Sequence, residues 1–321
     1  MKKLSAKVFI TRKIPSEAIK LLMDSGLDVS VYKKDSVIPK EILLKNIIQA
    51  DAVISLLTEK FDKNVIDKMK NCKVIANYAV GYNNIDVEYA KKKKIIVTNT
   101  PDVLTDSTAD LTMALVLTCA RRIIEAEKFL KEGKYMGWKP DLLLGVELKN
   151  KTFGILGAGR IGSAAALRAK AFGMKVIYSS KGRNKELEIQ TGARKVSTNI
   201  LLRTSDFLSI HLPLTKETFH FMNKEKLSLL KNTAFLINTS RGEIIDEEGL
   251  IKHLQKRKLF CAGLDVFENE PNINPALLKL DNVIILPHIG SATKEARTNM
   301  ALLAARNVIS ILSGKGAITP V

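Results

Sequence analysis

Little in this chain could build a cross-linked or membrane-spanning scaffold. Its three cysteines, Cys72, Cys119 and Cys261, are scattered through apolar stretches. They show neither metal-ligand nor disulfide spacing, so they read as small buried hydrophobes in a reducing compartment, and no metal is expected. No apolar run reaches the roughly 20 residues of a bilayer-crossing helix. The opening MKKLSAKVFITRKI holds two lysines but turns polar after a few apolar residues, so we expect no secretory signal and a cytoplasmic protein. Aromatic residues make up only 6%, with a single tryptophan, and they are not interleaved with basic clusters as on a nucleic-acid surface. Acids are scarce too: 33 Asp and Glu face 51 Lys and Arg, a net charge of +18. The bases are spread along the whole chain. Their one tight run, KKKK at 91–94, sits at an apparent helix end before IIVTN, where cations suit the helix dipole and stay solvated. Such a field favours small anionic substrates, and neither nucleic acid nor a membrane is an expected partner.

What is present suffices for two cores. A chain of 321 residues, 46% hydrophobic and 26% charged, has room for two ordinary globular domains. Apolar, β-rich runs alternate with helix-like stretches: AKVFIT, DVSVY, AVISLL, KVIANYAVG and IIVTN in the first third, then KTFGILG, KVIYSS, DFLSIHL, TAFLINTS, FCAGLDV and NVIILPH. Strands alternating with helices imply parallel sheets covered on both faces. A long helical region from about Leu104 to Lys131 separates the two series. A last amphipathic helix, Thr293 to Ser313, has no strand of its own. The expected fold is therefore α/β, with two doubly wound parallel-sheet domains. Residues 101–288 form a Rossmann-type cofactor domain, and a flavodoxin-like substrate domain is made discontinuously from 1–100 and 289–321, with a cleft between the two. The proline-bearing segments NTPDVL and PHIGSAT are the plausible crossing points.

The stretch TFGILGAGRIG sets Gly157, Gly159 and Gly162 in the G-x-G-x-x-G spacing between a strand and a helix. Gly157 permits the tight turn, Gly159 lets a pyrophosphate approach the backbone, and Gly162 lets helix and strand pack closely. The pyrophosphate would sit on amides at the helix N-terminus. A dinucleotide-binding turn of this kind normally has a ribose-binding acid at the end of the next strand. Here that strand ends in Ser179 and Ser180, followed by Lys181, Gly182 and Arg183. An Asp would bind both ribose hydroxyls of NAD and repel a 2′-phosphate. Ser180 can donate to a phosphate, and Lys181 and Arg183 add charge. Bonds of this type are worth on the order of 1.5–3 kcal/mol each, about tenfold or more in discrimination. The residues read as an NADPH-preferring site, with NADH possible; the bland alternative is a solvated polar turn.

Three later stretches carry candidate chemistry. INTSRGEIID puts Arg241 just past a strand end beside Thr239 and Ser240; GLDVFENEP puts Glu270 in a loop after another strand; ILPHIGSAT puts His288 at the end of the last one. All three follow carboxyl ends of parallel strands, the edge where open α/β sheets bind ligands. Taken singly, a histidine is more often structural, and Arg241 or Glu270 could form a loop ion pair. Together, on one sheet edge beside a nicotinamide site, they are more persuasive as a site.

With GILGAGRIG, INTSRGEIIDEEGL, GLDVFENEP and LPHIGSAT in order, and YAVGYNNID and VLTDSTADLTMALVLTCARR in the first half, the sequence resembles the D-isomer-specific 2-hydroxyacid dehydrogenases over nearly its whole length. LTDSTADL, Gly137–Trp138 and the Ser-Lys-Gly-Arg segment look most like the glyoxylate/hydroxypyruvate reductase branch. The resemblance implies a homodimer that reduces short 2-oxo acids to D-2-hydroxy acids. Arg241 would bind carboxylate and carbonyl oxygens, His288 would be the general acid, and Glu270 would orient its ring. It also implies cofactor contacts from Ala158, Arg160 and Ile161 in the turn, from Leu212, Pro213, Thr239, Ser240 and Gly290, from Thr108 near the nicotinamide, and from Asp265 near its carboxamide. Leu56, Val80, Gly81 and Trp138 would shape the substrate site, the amides around Val80 and Gly81 acting as a second carboxylate clamp. Trp138 is either core filler or part of a loop reaching a partner subunit. His211 should have a core or rim role, and His220 and His253 none in the chemistry. The alternatives are a phosphoglycerate dehydrogenase, for which the chain to Val321 leaves no room for the added regulatory domain many carry, a D-lactate-type NAD enzyme, or a non-enzymatic co-repressor of the same fold.

Overall fold

In a computed structural model, which describes residues 6–321, the chain divides into two compact units, Met1–Leu104 with Ala292–Val321, and Thr105–Ser291. The first unit is built on five strands: β1 (Lys7–Ile10), β2 (Asp28–Val31), β3 (Ala52–Ser55), β4 (Val74–Asn77) and β5 (Ile96–Thr98). They lie in the order β2-β1-β3-β4-β5, and every pairing is parallel. This is the flavodoxin-like order. β3 and β4 are buried at every position, with the continuous apolar character of strands covered on both faces, whereas the edge strand β2 alternates exposed and half-buried residues. The final helix, Lys294–Leu312, lies against the first helix, Ser16–Asp24, and against β3 and β4. Its small buried face (Ala296, Ala301, Ala304, Ala305) allows close approach. Tyr78 Oη donates to the carbonyl of Arg297 at 2.8 Å, and Thr319 Oγ1 to that of Asn99 at 2.6 Å, so the last segment is tied to the first-third strands by polar bonds as well as packing.

The second unit holds β6 (Thr152–Leu156), β7 (Lys175–Ser179), β8 (Arg194–Lys195), β9 (Phe207–Ile210), β10 (Phe235–Asn238), β11 (Cys261–Leu264) and β12 (Val283–Ile285). The order is β12-β11-β10-β9-β6-β7-β8, again wholly parallel. Strand order reverses between β6 and β9, the switch point at which doubly wound sheets take ligands. Two apolar clusters fill its faces, one around Phe153, Tyr178 and Phe207 and the other around Leu208, Leu236 and Leu264.

Two features differ from the sequence reading. β8, a two-residue edge strand of exposed Arg194 and Lys195, has no apolar signature to announce it. The long helical region is two helices, Thr105–Ala120 and Ile123–Lys131, broken at Arg122, which adopts φ 54° and pairs with Glu125 at 2.6 Å. The first is mostly buried; the second buries no residue. The cysteines are buried as expected, and Cys119 and Cys261, far apart in sequence, lie in one core. The neighbouring Cys261 thiol and burial push the Cys119 thiol up, and burial pushes Cys72 up to about 12, so neither is a nucleophile at neutral pH. Among the described residues no helix is long and apolar enough to cross a membrane.

Candidate active site

The glycine turn closes β6 at the switch point. Gly157 has φ +101°, and a Cβ there would lie 2.7 Å from the carbonyl oxygen of His211, just past β9. At Gly162 a Cβ would strike the Gly157 carbonyl at 2.3 Å, so this glycine lets the helix Arg160–Ala171 press onto its own turn. Gly159, the N-cap, has nothing within 4 Å of an added Cβ and no side chain to cap the helix. The turn is therefore open on the one side where a pyrophosphate would meet main-chain amides, and it fits a dinucleotide. Across the reversal, His211 shares a 2.8 Å bond with Ser209 Oγ, and burial pushes it down to about 4, leaving a neutral ring at pH 7. Leu212 Cδ2 would lie 3.1 Å from the same Gly157 Cβ, and the carbonyl of Pro213 accepts from Thr218 Oγ1 at 2.6 Å.

Beyond β7, Ser180 Oγ donates to the Gly182 carbonyl at 2.5 Å, and Lys195 Nζ to that of Lys181 at 3.2 Å. Arg183 is exposed, and its Nε and Nη2 both reach Glu188 Oε2 at 2.8 Å. Asn184, which the sequence reading passed over, donates from Nδ2 to the carbonyl of Ala158 and to Ser163 Oγ, each at 3.0 Å. One side chain thus ties the glycine turn to the loop after the next strand.

Arg241, Glu270 and His288 stand beyond the ends of the neighbouring strands β10, β11 and β12. Buried Asn238, the last residue of β10, shapes the first loop: its Oδ1 accepts from Ser240 N and Oγ at 3.0 and 2.9 Å, and its Nδ2 donates to the Arg241 carbonyl at 2.8 Å. Arg241 is half-buried and donates from Nη1 to the Ser240 carbonyl at 2.7 Å. Burial holds its pKa below the usual arginine value, against the favourable charges of Glu243 and Glu270, and a guanidinium stays charged regardless. The next residue, Gly242, fixes the spacing of the two loops. A Cβ there would fall 1.9 Å from the carbonyl carbon of Phe267, so only glycine lets the Arg241 loop lie against the loop that carries Glu270.

Glu270 Oε1 accepts from the Phe267 amide at 3.0 Å, and Oε2 meets His288 Nδ1 at 2.8 Å. Burial alone would raise this carboxylate, but the bond to His288, its charge and the Phe267 amide hold it below its ordinary value. With Nδ1 facing a carboxylate, that nitrogen carries a proton, and Nε2 is the atom left for chemistry. His288 sits at φ +54°, and the turn behind it is pinned by Asp265, whose two oxygens accept the amides of Ile289 and Gly290 at 2.7 Å each. Asp265 is fully buried, and burial raises its pKa against those two bonds. A short chain of hydroxyls joins the other expected residues: Thr239 Oγ1 meets Thr112 Oγ1 at 2.9 Å, Thr112 Oγ1 reaches the Thr108 carbonyl at 2.9 Å, and Thr108 Oγ1 donates to the Gly290 carbonyl at 3.2 Å.

Residues 113–290 match the family described as D-isomer specific 2-hydroxyacid dehydrogenase, NAD binding domain. A glyoxylate reductase of Thermococcus litoralis is 50% identical over 98% of this chain and 95% of its own. The chain belongs to the D-isomer-specific 2-hydroxyacid dehydrogenase family. It is an NAD(P)-dependent oxidoreductase. The crystal structure of the TT0316 protein from Thermus thermophilus matches with a TM-score of 0.92 at 41% identity, covering 98% of this chain and 99% of that one. An NADPH-dependent glyoxylate/hydroxypyruvate reductase from Sinorhizobium meliloti, solved with NADP and malonate, matches with a TM-score of 0.86 at 31% identity over 98% and 96%.

The remaining expected residues of this dehydrogenase lie in loops. In the first unit, after β4, the carbonyl of Val80 accepts from Asn99 Nδ2 and that of Gly81 from Asn77 Nδ2, both at 2.8 Å. Leu56, just past β3, donates its amide to Glu59 Oε2 at 2.8 Å, and its carbonyl accepts from Asn84 Nδ2 at 3.0 Å. In the second unit Trp138 is 81% exposed, which rules out the core-filler alternative. His220 pairs with Glu268 at 2.8 Å, and His253 bonds Ser228 and the Gly249 carbonyl.

Proposed function

We propose that this dehydrogenase reduces glyoxylate and hydroxypyruvate to D-2-hydroxy acids, with NADPH preferred over NADH. The observation that carries the reading is the 2.8 Å contact of His288 Nδ1 with Glu270 Oε2, beside Arg241, at the ends of three neighbouring strands. The names of the Thermococcus and Sinorhizobium relatives support the substrate class, and the latter's NADP supports the cofactor. A bound nicotinamide supplies the hydride. The fork of Arg241 holds the carboxylate and carbonyl oxygens of the substrate and stabilises the negative charge that grows on the carbonyl oxygen. The imidazolium of His288 gives its Nε2 proton to that oxygen while its Nδ1–H stays hydrogen-bonded to Glu270, and the neutral ring takes a proton back in the reverse direction. Glu270 keeps the ring in one tautomer and one orientation. On this reading the amides around Val80 and Gly81, whose carbonyls two asparagines hold in place, are a carboxylate clamp of the first unit, and Leu56 and Trp138 are substrate-binding residues. The discontinuous first unit would be the substrate domain. The exposed apolar residues Ile123, Ile124, Leu130, Met136 and Leu144 support pairing of two copies along that stretch.

A steady-state matrix of glyoxylate, hydroxypyruvate and pyruvate against NADPH and NADH tests the assignment. We expect glyoxylate or hydroxypyruvate with NADPH to give the highest kcat/KM. Faster turnover per KM with NADH would reverse the cofactor assignment, and preference for pyruvate the substrate assignment.

A further inference from the structure

The loop that the reading above assigns to the 2′-phosphate meets a carboxylate that the sequence motif does not predict. Glu188 lies on the helix Lys185–Thr191, and its two oxygens have different partners. Oε2 takes both Nε and Nη2 of Arg183 at 2.8 Å; Oε1 accepts from Tyr178 Oη at 2.7 Å. Tyr178 is fully buried, and its hydroxyl in turn accepts the Asn184 amide at 2.9 Å. Asn184 continues to the Ala158 carbonyl in the glycine turn. Glu188 is therefore not a mobile surface acid that happens to meet an arginine. It is fixed from behind by a buried hydroxyl and presents its charge to one face of the guanidinium.

We propose that Glu188 is a specificity-determining residue that weakens the enzyme's preference for NADPH by competing with the 2′-phosphate for Arg183. The inference rests on the NADPH reading of the same loop. The physical reason is direct. A carboxylate engaging Nε and Nη2 occupies one edge of the donor fork that would clasp a phosphate, and it cancels part of the positive potential supplied by Lys181, Arg183 and Lys195. Its negative charge also repels an approaching dianion, while an unphosphorylated ribose is indifferent to it. The anchoring to Tyr178 prevents the acid from swinging away at small cost, so the competition is built in.

The test is titration of the full chain and of Glu188→Gln with 2′,5′-ADP and 5′-AMP by calorimetry, at low and high salt. The glutamine keeps an oxygen for Tyr178 and loses the charge. We expect 2′,5′-ADP to bind on the order of three- to tenfold more tightly to the variant, 5′-AMP to change less than about twofold, and the gain to shrink at high salt. In turnover, the rise in the NADPH/NADH ratio should be carried by KM for NADPH. Glu188→Ala should shift 2′,5′-ADP in the same direction. Unaltered 2′,5′-ADP affinity in both variants, or weaker affinity that 5′-AMP does not share, would overturn the inference; the latter would make Glu188 a support for Arg183 instead of its competitor. Arg183→Ala separates the two levels of the argument. If it abolishes a preference for 2′,5′-ADP while the Glu188 variants change nothing, only the role of Glu188 falls. If the parent shows no preference and Arg183→Ala alters neither ligand, the 2′-phosphate reading itself has failed.

Discussion

At the scale of single residues, the candidate chemistry is concentrated in one pair. His288→Gln should lower kcat/KM for the preferred 2-oxo acid by about 10²–10⁴-fold, with the cofactor Kd little altered, because a positioned proton donor contributes about that much; a variant with full activity would remove His288 from the mechanism. Glu270 also marks the acid side of stability. Its folded pKa is lowered from 4.5 by His288 despite burial. A carboxylate depressed in the folded state gives stability that is present above its unfolded pKa and lost as pH falls through its folded one. The melting-temperature difference between the parent and Glu270→Gln should therefore be present just above the ordinary glutamate value and close as the pH falls below it, as scanning calorimetry across pH would show. Arg241, Glu270 and His288 could be singled out because each is a polar residue in the segment that follows an apolar strand run. Asn238 and Asn184 could not. Their importance lies in what they bond, Ser240 and Arg241 for one, Ala158 and Ser163 for the other, and no local pattern announces such partners.

At the scale of elements, the spacing between loops is set by backbone contact. Gly242→Ala would put a carbon inside the Phe267–Glu268 peptide, so the β10 and β11 loops would have to part and Arg241 would shift relative to Glu270. We expect a loss of about 10²-fold or more in kcat/KM, together with a melting temperature lowered by several degrees; an alanine variant with parental kinetics would show that the spacing is not needed. The strand series was readable because β-branched runs bounded by turns recur, and every one of those runs contains a strand. Two elements escaped. β8 consists of two exposed basic residues and is held by its neighbour β7 alone. The break at Arg122 falls inside a run with continuous helical propensity, and only the left-handed backbone there, backed by the Glu125 pair, separates a buried helix from an exposed one.

At the scale of the whole molecule, the two sheets follow from βα alternation, but the contacts that hold the last helix needed tertiary facts. Its apolar face could serve either sheet. The Ser16–Asp24 helix, β3, β4 and the Tyr78–Arg297 bond place it on the first. Tyr78→Phe should cost about 1 kcal/mol in denaturant unfolding, the usual net value of a part-buried hydrogen bond; no change would mean that the hydroxyl contributes nothing beyond its ring. That same placement gives the chain a timetable. The five strands of the first sheet leave the ribosome early, yet the helix that covers one of its faces comes only after Thr105–Ser291 has been made. At ordinary elongation rates that interval is on the order of ten seconds or more. The nucleotide-binding unit is synthesised without interruption and can be finished while the first sheet still waits, one apolar face uncovered, for its last helix.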